Sequence, residues 1–120
     1  MKANAYGHGL SAALRGFARA DGLALLEFDA AERLRASGWA GPLLMLEGPF
    51  EPADVATASR LGLSLVVHRP DQLDWLRGAS LPLDVYLKFN SGMNRLGLRA
   101  AAFRSARAAL DAIAAVRSVT

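Results

Sequence analysis

Short apolar runs that look like buried strands recur along the chain at Leu23 to Phe28, Leu43 to Leu46, Leu63 to Val67 and Leu83 to Leu87. Each is continuous rather than alternating, the pattern of strands buried on both faces of a parallel sheet. Around and between them the period lengthens to that of a helix, over roughly Ser11 to Ala20, Asp29 to Ser37, Pro52 to Leu61, Pro70 to Arg77 and Ala100 to Val116. Boundary residues agree: Asp29 with Glu32 forms a capping-box-like pair, Gly38 stands at a stop, and Pro52 and Pro70 suit first-turn positions, where a missing N–H breaks no helical bond. Strict alternation of β and α requires right-handed crossovers and a parallel sheet covered by helices. The pattern therefore predicts an α/β fold, as a doubly wound sheet or a (β/α)8 barrel. The units repeat about every 20 to 25 residues, so closing eight of them would take about 200 residues. The 120 residues hold about five βα units, with no low-complexity linker, and read as one domain over residues 1–120.

Composition narrows the class. Apolar residues make up 52% of the chain and cysteine is absent, which excludes a disordered tail and a disulfide-stapled secreted scaffold. No apolar run approaches the roughly 18 residues of a membrane helix, and the segment from Met1 to Gly9 lacks a signal peptide's apolar core, so the expected location is cytoplasmic with no membrane partner. The net charge of +3 is carried almost wholly by arginine, spaced one or two per helix without the dense stripe that tracks a phosphate backbone, which argues against nucleic-acid binding. Lys2 and Lys88 are the only lysines. Two solitary amines among twelve guanidiniums call for a separate explanation.

Chemistry in α/β proteins gathers where strands end, at the carboxyl edge of the sheet. Lys88 directly follows the run Leu83 to Leu87 and opens Lys88-Phe89-Asn90-Ser91-Gly92-Met93-Asn94-Arg95-Leu96-Gly97, a polar loop with two glycines ahead of the last helix. Lys2 begins Lys-Ala-Asn-Ala-Tyr-Gly-His-Gly, whose glycines would let a ligand approach the backbone before the helix near Ser11. The dinucleotide fingerprint fails for want of a third glycine, and the phosphate-loop pattern is absent.

Taken together, Lys2 to Gly9 and Lys88 to Gly97 closely resemble the two signature segments of the alanine racemase family: its pyridoxal-phosphate motif and its Lys-x-x-Ser/Thr-Gly-Met-x-Arg-Leu-Gly block. Leu46 to Pro52 and Val66-Val67-His68 also resemble bacterial members. The resemblance implies a partial (β/α)8 TIM barrel, part of a cofactor-binding barrel that in the family precedes a β domain, and a homodimer. It implies pyridoxal 5'-phosphate as cofactor, no metal, and interconversion of L-alanine and D-alanine. By resemblance, Lys2 holds the cofactor and serves as the base on the D-alanine face, and Tyr6 contacts the phosphate. Arg95 contacts the substrate carboxylate, for which a planar fork is suited. Lys88 matches a lysine that is often carbamylated in the family, becoming an anion able to pair with Arg95.

This chemistry explains the residue types. The carbanion left by removing an amino acid's α-proton needs an electron sink, which the cofactor supplies. An attached lysine must be nucleophilic, and racemisation needs one base on each face of the planar intermediate. His8, between glycines at a helix start, and His68, at a strand end, are expected to be structural hydrogen-bonding groups. Met93 and Phe89 are expected to pack the loop on the core, and Trp39 and Trp75 to be partly buried near helix ends.

Against the family pattern, only Met1 precedes Lys2, and Val119-Thr120 stands where a sixth strand would be starting. The first barrel strand, the later strands and the β domain are therefore expected to be missing, and with them the opposite-face tyrosine base. The chain reads as an internal fragment whose isolated activity is doubtful. Two alternatives remain: a non-catalytic, truncated cofactor-binding relic, or a racemase of another small amino acid such as serine.

Overall fold

The computed structural model describes residues 1–120 throughout. Five parallel strands, β1 (Leu23–Leu25), β2 (Leu43–Met45), β3 (Ser64–Val67), β4 (Leu83–Leu87) and β5 (Val116–Val119), lie side by side in sequence order. A doubly wound sheet reverses its strand order at a switch point. This one never does, and the unbroken 1-2-3-4-5 order is the run of neighbours found along the wall of a barrel.

The six helical elements are α1 (Ala3–Tyr6), α2 (Leu10–Gly16), α3 (Phe28–Ala36), α4 (Pro52–Leu61), α5 (Asp71–Leu76) and α6 (Ala100–Asp111). From α2 onward each packs on the next, forming one layer. Between this layer and the sheet lies a single apolar core built on Leu25, Leu34, Met45, Leu65, Val85 and Leu110. The continuous apolar runs suggested strands covered on both faces; β3 is so covered, with Leu65, Val66 and Val67 all buried, whereas burial alternates in β1, β2 and β4. In β4, Leu83, Val85 and Leu87 are buried toward the core, while Tyr86 is exposed on the other face and Asp84 half-buried. There Asp84 accepts hydrogen bonds from Arg117 and from the Ser118 hydroxyl, and these hold its carboxyl below the usual carboxylate range.

Several boundaries differ from those the pattern predicts. Phe28 belongs to the first turn of α3 instead of the preceding strand, which stops at Leu25. Glu27, not Asp29, is the residue that caps α3, and it makes no side-chain cap bond. The capping carboxylate found is Asp54, which accepts the backbone N–H groups of Phe50 and Glu51 at 2.8 and 3.3 Å as α4 begins with Pro52. The last helix ends at Asp111 and the chain is paired as β5 from Val116, earlier than the Val119 start expected, because backbone bonding to β4 outweighs the helix propensity of the alanine-rich stretch.

Register makes the site visible before any side chain is considered. Partners in the first four strands are 20 residues apart, as in Leu23 with Leu43, Leu44 with Ser64, and Leu65 with Val85. From β4 to β5 the spacing rises to 33, as Leu83 pairs with Val116. The extra length is the loop that follows Lys88, on the carboxyl edge.

Candidate functional site

Met1 and Lys2 run alongside β1. The Met1 nitrogen donates to the Ala24 carbonyl, Lys2 is fully extended (φ −147°, ψ 169°), and the Ala3 N–H reaches the Glu27 carboxylate at 3.2 Å. Moving from Ala24 to Glu27 as the chain advances from Met1 to Ala3, this segment is parallel to β1 and delivers Lys2 to the carboxyl edge. Ala3, Asn4, Ala5 and Tyr6 then take φ values of 48°, 51°, 56° and 55°. This is one turn of left-handed helix, closed by Tyr6 N–H on Lys2 C=O at 3.0 Å and Gly7 N–H on Ala3 C=O at 3.1 Å. Left-handed geometry costs about 1–2 kcal/mol per non-glycine residue, and such strain persists only where surrounding contacts enforce it. Here Ala5 is buried, and the Asn4 side chain accepts the Leu10 N–H at 3.0 Å, so the turn also opens α2. The result sets the Lys2 ammonium 5.9 Å from the centre of the exposed Tyr6 ring. Lys2, Asn4, Leu25, Glu27, Asp29 and Arg33 line a cavity of about 180 Å³ beside it.

The second cluster is built on the loop after β4. Leu98 pins its two ends: its N–H donates to the Lys88 carbonyl and its carbonyl accepts the Asn90 N–H, both at 2.9 Å. Inside the loop, Asn90 Oδ1 accepts the N–H groups of Gly92 and Asn94 at 3.0 and 3.1 Å, while Asn90 Nδ2 donates to Asn94 Oδ1 at 3.0 Å. Gly97 has φ +108°, and a Cβ there would come within 2.8 Å of the Asn90 nitrogen, so no side chain fits. The knotted loop presents Arg95 to solvent with no hydrogen bond or ion pair to its guanidinium. Lys88 Nζ lies 3.5 Å from the Leu46 carbonyl. Lys88 and Arg95 share a cavity of about 350 Å³ with Leu46, Glu47, Asn90 and Ser91.

Next to this cavity, Gln72 is fully buried and ties two loops together. Its Oε1 accepts the His68 N–H at 2.9 Å, and its Nε2 donates to the Pro49 carbonyl at 3.0 Å and the Glu47 carbonyl at 3.3 Å. His68 Nε2 meets the same Glu47 carbonyl at 2.8 Å, which fixes that nitrogen as a donor. Burial lowers the His68 pKa, with the positive charges of Arg69 and Lys88 adding to the effect against the opposing pull of Glu47. At Gly48 (φ +66°) a Cβ would sit 2.0 Å from the Val66 carbonyl, so this loop lies directly on β3.

Of the residues singled out from sequence, Lys2 and Tyr6 are brought together, as are Lys88 and Arg95. Both pairs stand on the carboxyl edge, but they line separate cavities and do not touch. His68 is structural, as expected, whereas the exposed His8 ring makes no hydrogen bond. Phe89 packs edge-on against Phe103 at 5.4 Å, but Met93 is 83% exposed and does not pack the loop. Trp39 and Trp75 are half-buried. Sequence reading missed Glu27 and Gln72. A lone glutamine four residues after His68 on a helix that packs inward was the one available signal, since Glu27 acts through a contact 24 residues away. No group of three or more histidine, cysteine or acidic residues is placed to hold a metal ion, and no helix is long and apolar enough to cross a membrane.

Residues 1–120 match the family model described as the alanine racemase N-terminal domain. Among curated proteins, the chain is 51% identical to an alanine racemase of Acidovorax sp. (strain JS42), over 100% of this chain and 33% of that protein. It is 53% identical to an alanine racemase of Bordetella petrii, over 90% of this chain and 29% of that protein. Among solved structures, the biosynthetic alanine racemase of Pseudomonas aeruginosa superimposes with a TM-score of 0.91 at 39% identity, over 98% of this chain and 34% of that one. The alanine racemase of Bacillus anthracis with bound L-Ala-P gives 0.84 at 28% identity, over 98% and 32%. The chain thus spans about a third of the length of the relatives it matches.

Proposed function

The chain belongs to the family of alanine racemase N-terminal domains, and from that premise we propose that it is the cofactor-binding barrel segment of a pyridoxal 5'-phosphate-dependent alanine racemase. The observation that carries this reading is the strained turn: four consecutive left-handed residues hold a primary amine and a phenol side by side at the carboxyl edge. A lysine amine, a phenolic donor and an adjoining cavity suit an aldehyde coenzyme with a phosphate group. When bound, that coenzyme supplies the electron sink that makes the α-proton of an amino acid removable.

In this reading Lys2 Nζ holds the coenzyme and, once free, takes or returns the α-proton on the D-alanine face. The Tyr6 hydroxyl donates to the phosphate. Arg95, with its fork uncommitted, receives the alanine carboxylate through paired charge-assisted hydrogen bonds. Lys88 takes up carbon dioxide as its neutral amine, forming one N–C bond and releasing a proton, and the carbamate faces Arg95 across the shared cavity. Transfer from the opposite face needs a second base, which none of these residues provides. The family resemblance supports a homodimer in the cytoplasm.

The scarcity of lysine makes the test direct. The chain is incubated with pyridoxal 5'-phosphate, reduced with borohydride and mapped by peptide mass. Label on Lys2, with visible absorbance lost in Lys2→Ala, supports the reading. Label confined to Lys88 or the terminal amine, or colour that persists in Lys2→Ala, overturns it. Racemisation of alanine by the segment joined to the remaining length its relatives have, measured against serine, tests the substrate.

A further inference from the structure

We propose that Glu27 is a positioning residue: its carboxylate, at the end of β1, holds the left-handed turn that sets Lys2 against Tyr6. The inference rests on the reading of Lys2 given above, and adds to it the group that keeps the amine in place. Left-handed φ at Ala3, Asn4, Ala5 and Tyr6 is intrinsically unfavourable, and none of these four residues is a glycine. Something outside the turn has to enforce it.

Four attachments secure it. Ala5 is buried and Asn4 accepts the Leu10 N–H, which secures the far side of the turn on α2. On the near side, the Met1 nitrogen bonds the Ala24 carbonyl before the turn begins. The first left-handed residue, Ala3, has its N–H directed away from the turn's own carbonyls, and Glu27 Oε1 accepts it at 3.2 Å. The Glu27 carboxylate has no other hydrogen bond or ion pair, and the residue's backbone carbonyl only accepts the Ala31 N–H of α3. Glu27 is exposed, in extended backbone (φ −95°, ψ 129°) ahead of α3, and contributes no side-chain cap to that helix. A carboxylate without a structural partner other than Ala3, lining the same cavity as Lys2, is best accounted for by the turn it anchors.

An uncharged acceptor should serve nearly as well, because what matters is an oxygen opposite the Ala3 N–H. Glu27→Gln and Glu27→Leu separate this from an effect of charge on the Lys2 ammonium. The primary readout is the turn itself, from the backbone couplings of Ala3 to Tyr6 and the amide exchange of Ala3 by NMR on the whole chain. Glu27→Leu is expected to speed Ala3 exchange by about tenfold, the effect of losing one hydrogen bond, and to shift the couplings away from left-handed values. Glu27→Gln is expected to stay within about threefold of the parent. Borohydride-fixed coenzyme on Lys2, referred to that on Lys88, should follow the same order.

A turn that persists unchanged in Glu27→Leu overturns the proposal, as does equal loss in both variants, which would assign the effect to charge. If Glu27→Leu fails to fold, the decision rests on Glu27→Gln, whose coupling and exchange must match the parent. Absence of label on Lys2 in the parent chain counts against the coenzyme reading alone, since the couplings and exchange rates decide the anchor without it.

Discussion

Arg35 and Arg95 are the same side chain in opposite circumstances. Arg35, at the amino edge of the sheet, donates to four backbone carbonyls: Leu61 at 2.9 Å, Trp39 at 2.8 Å, Gly41 at 2.7 Å and Gly62 at 3.2 Å. It joins the end of α3 to the end of α4 with no carboxylate involved, and burial lowers its pKa. Arg95, at the carboxyl edge, donates to nothing, although its loop is pinned by Leu98 and knotted by Asn90. One guanidinium has four of its five donors taken up by the fold and the other has them held out toward a cavity. Barrel folds divide labour in this way, with stability at the amino face and chemistry at the carboxyl face.

Substitutions at the two edges should therefore fail differently. The largest effect belongs to the carboxyl edge: Lys2→Ala, in the segment joined to its relatives' remaining length, should lower alanine racemisation by about a thousandfold or more while the urea midpoint stays put. Next, Arg95→Leu should cost about a hundredfold in kcat/KM, the loss of paired charge-assisted bonds to a carboxylate, again with stability within about 0.5 kcal/mol of the parent. A drop in stability at Arg95 comparable to that at Arg35 would break the comparison. Arg35→Leu reverses the pattern, with about 2 kcal/mol lost in urea unfolding as carbonyls lose a charged donor, and labelling of Lys2 by coenzyme unchanged in the folded protein.

The smallest effect sharpens the boundary between the two edges. His68 has a folded pKa below its unfolded value of about 6.5, so on acidification the unfolded chain binds its proton first. Its contribution to stability is complete above that value and is lost as pH falls toward the lowered folded pKa. Substitution with Gln should flatten the stability profile through that window, measured as urea midpoint against pH. An unchanged slope would mean that the ring is not held neutral by Gln72's neighbourhood.

Much of the layout was legible in the residues. Pro52 opens α4 and Gly38, in left-handed geometry, stands just past α3, because each imposes a local geometry that no tertiary contact need supply. Lys2 and Lys88 stood out because amines are scarce and glycines sit close by, and Arg95 through the likeness of its loop to the family's block; all three do lie on the carboxyl edge. The failures share a cause. Phe28 could end a strand or begin a helix, and only the bend after Leu25, set by packing α3 on the core, decides between them. The stretch from Ala112 to Val116 reads as helix until β4 offers it a ladder. Nothing in Ala-Asn-Ala-Tyr announces a left-handed turn, because its cause lies in Glu27, Leu10 and the buried face of Ala5. Local signals are readable in sequence, while conformations enforced from a distance are not.

The bare hydrogen at position 48 carries a practical consequence. Because any larger substituent there would collide with the Val66 carbonyl, a saturation library at this codon should return a single survivor. Its dropout rate would calibrate how faithfully a growth or display screen senses the geometry of the neighbouring pocket, before any catalytic variant is scored.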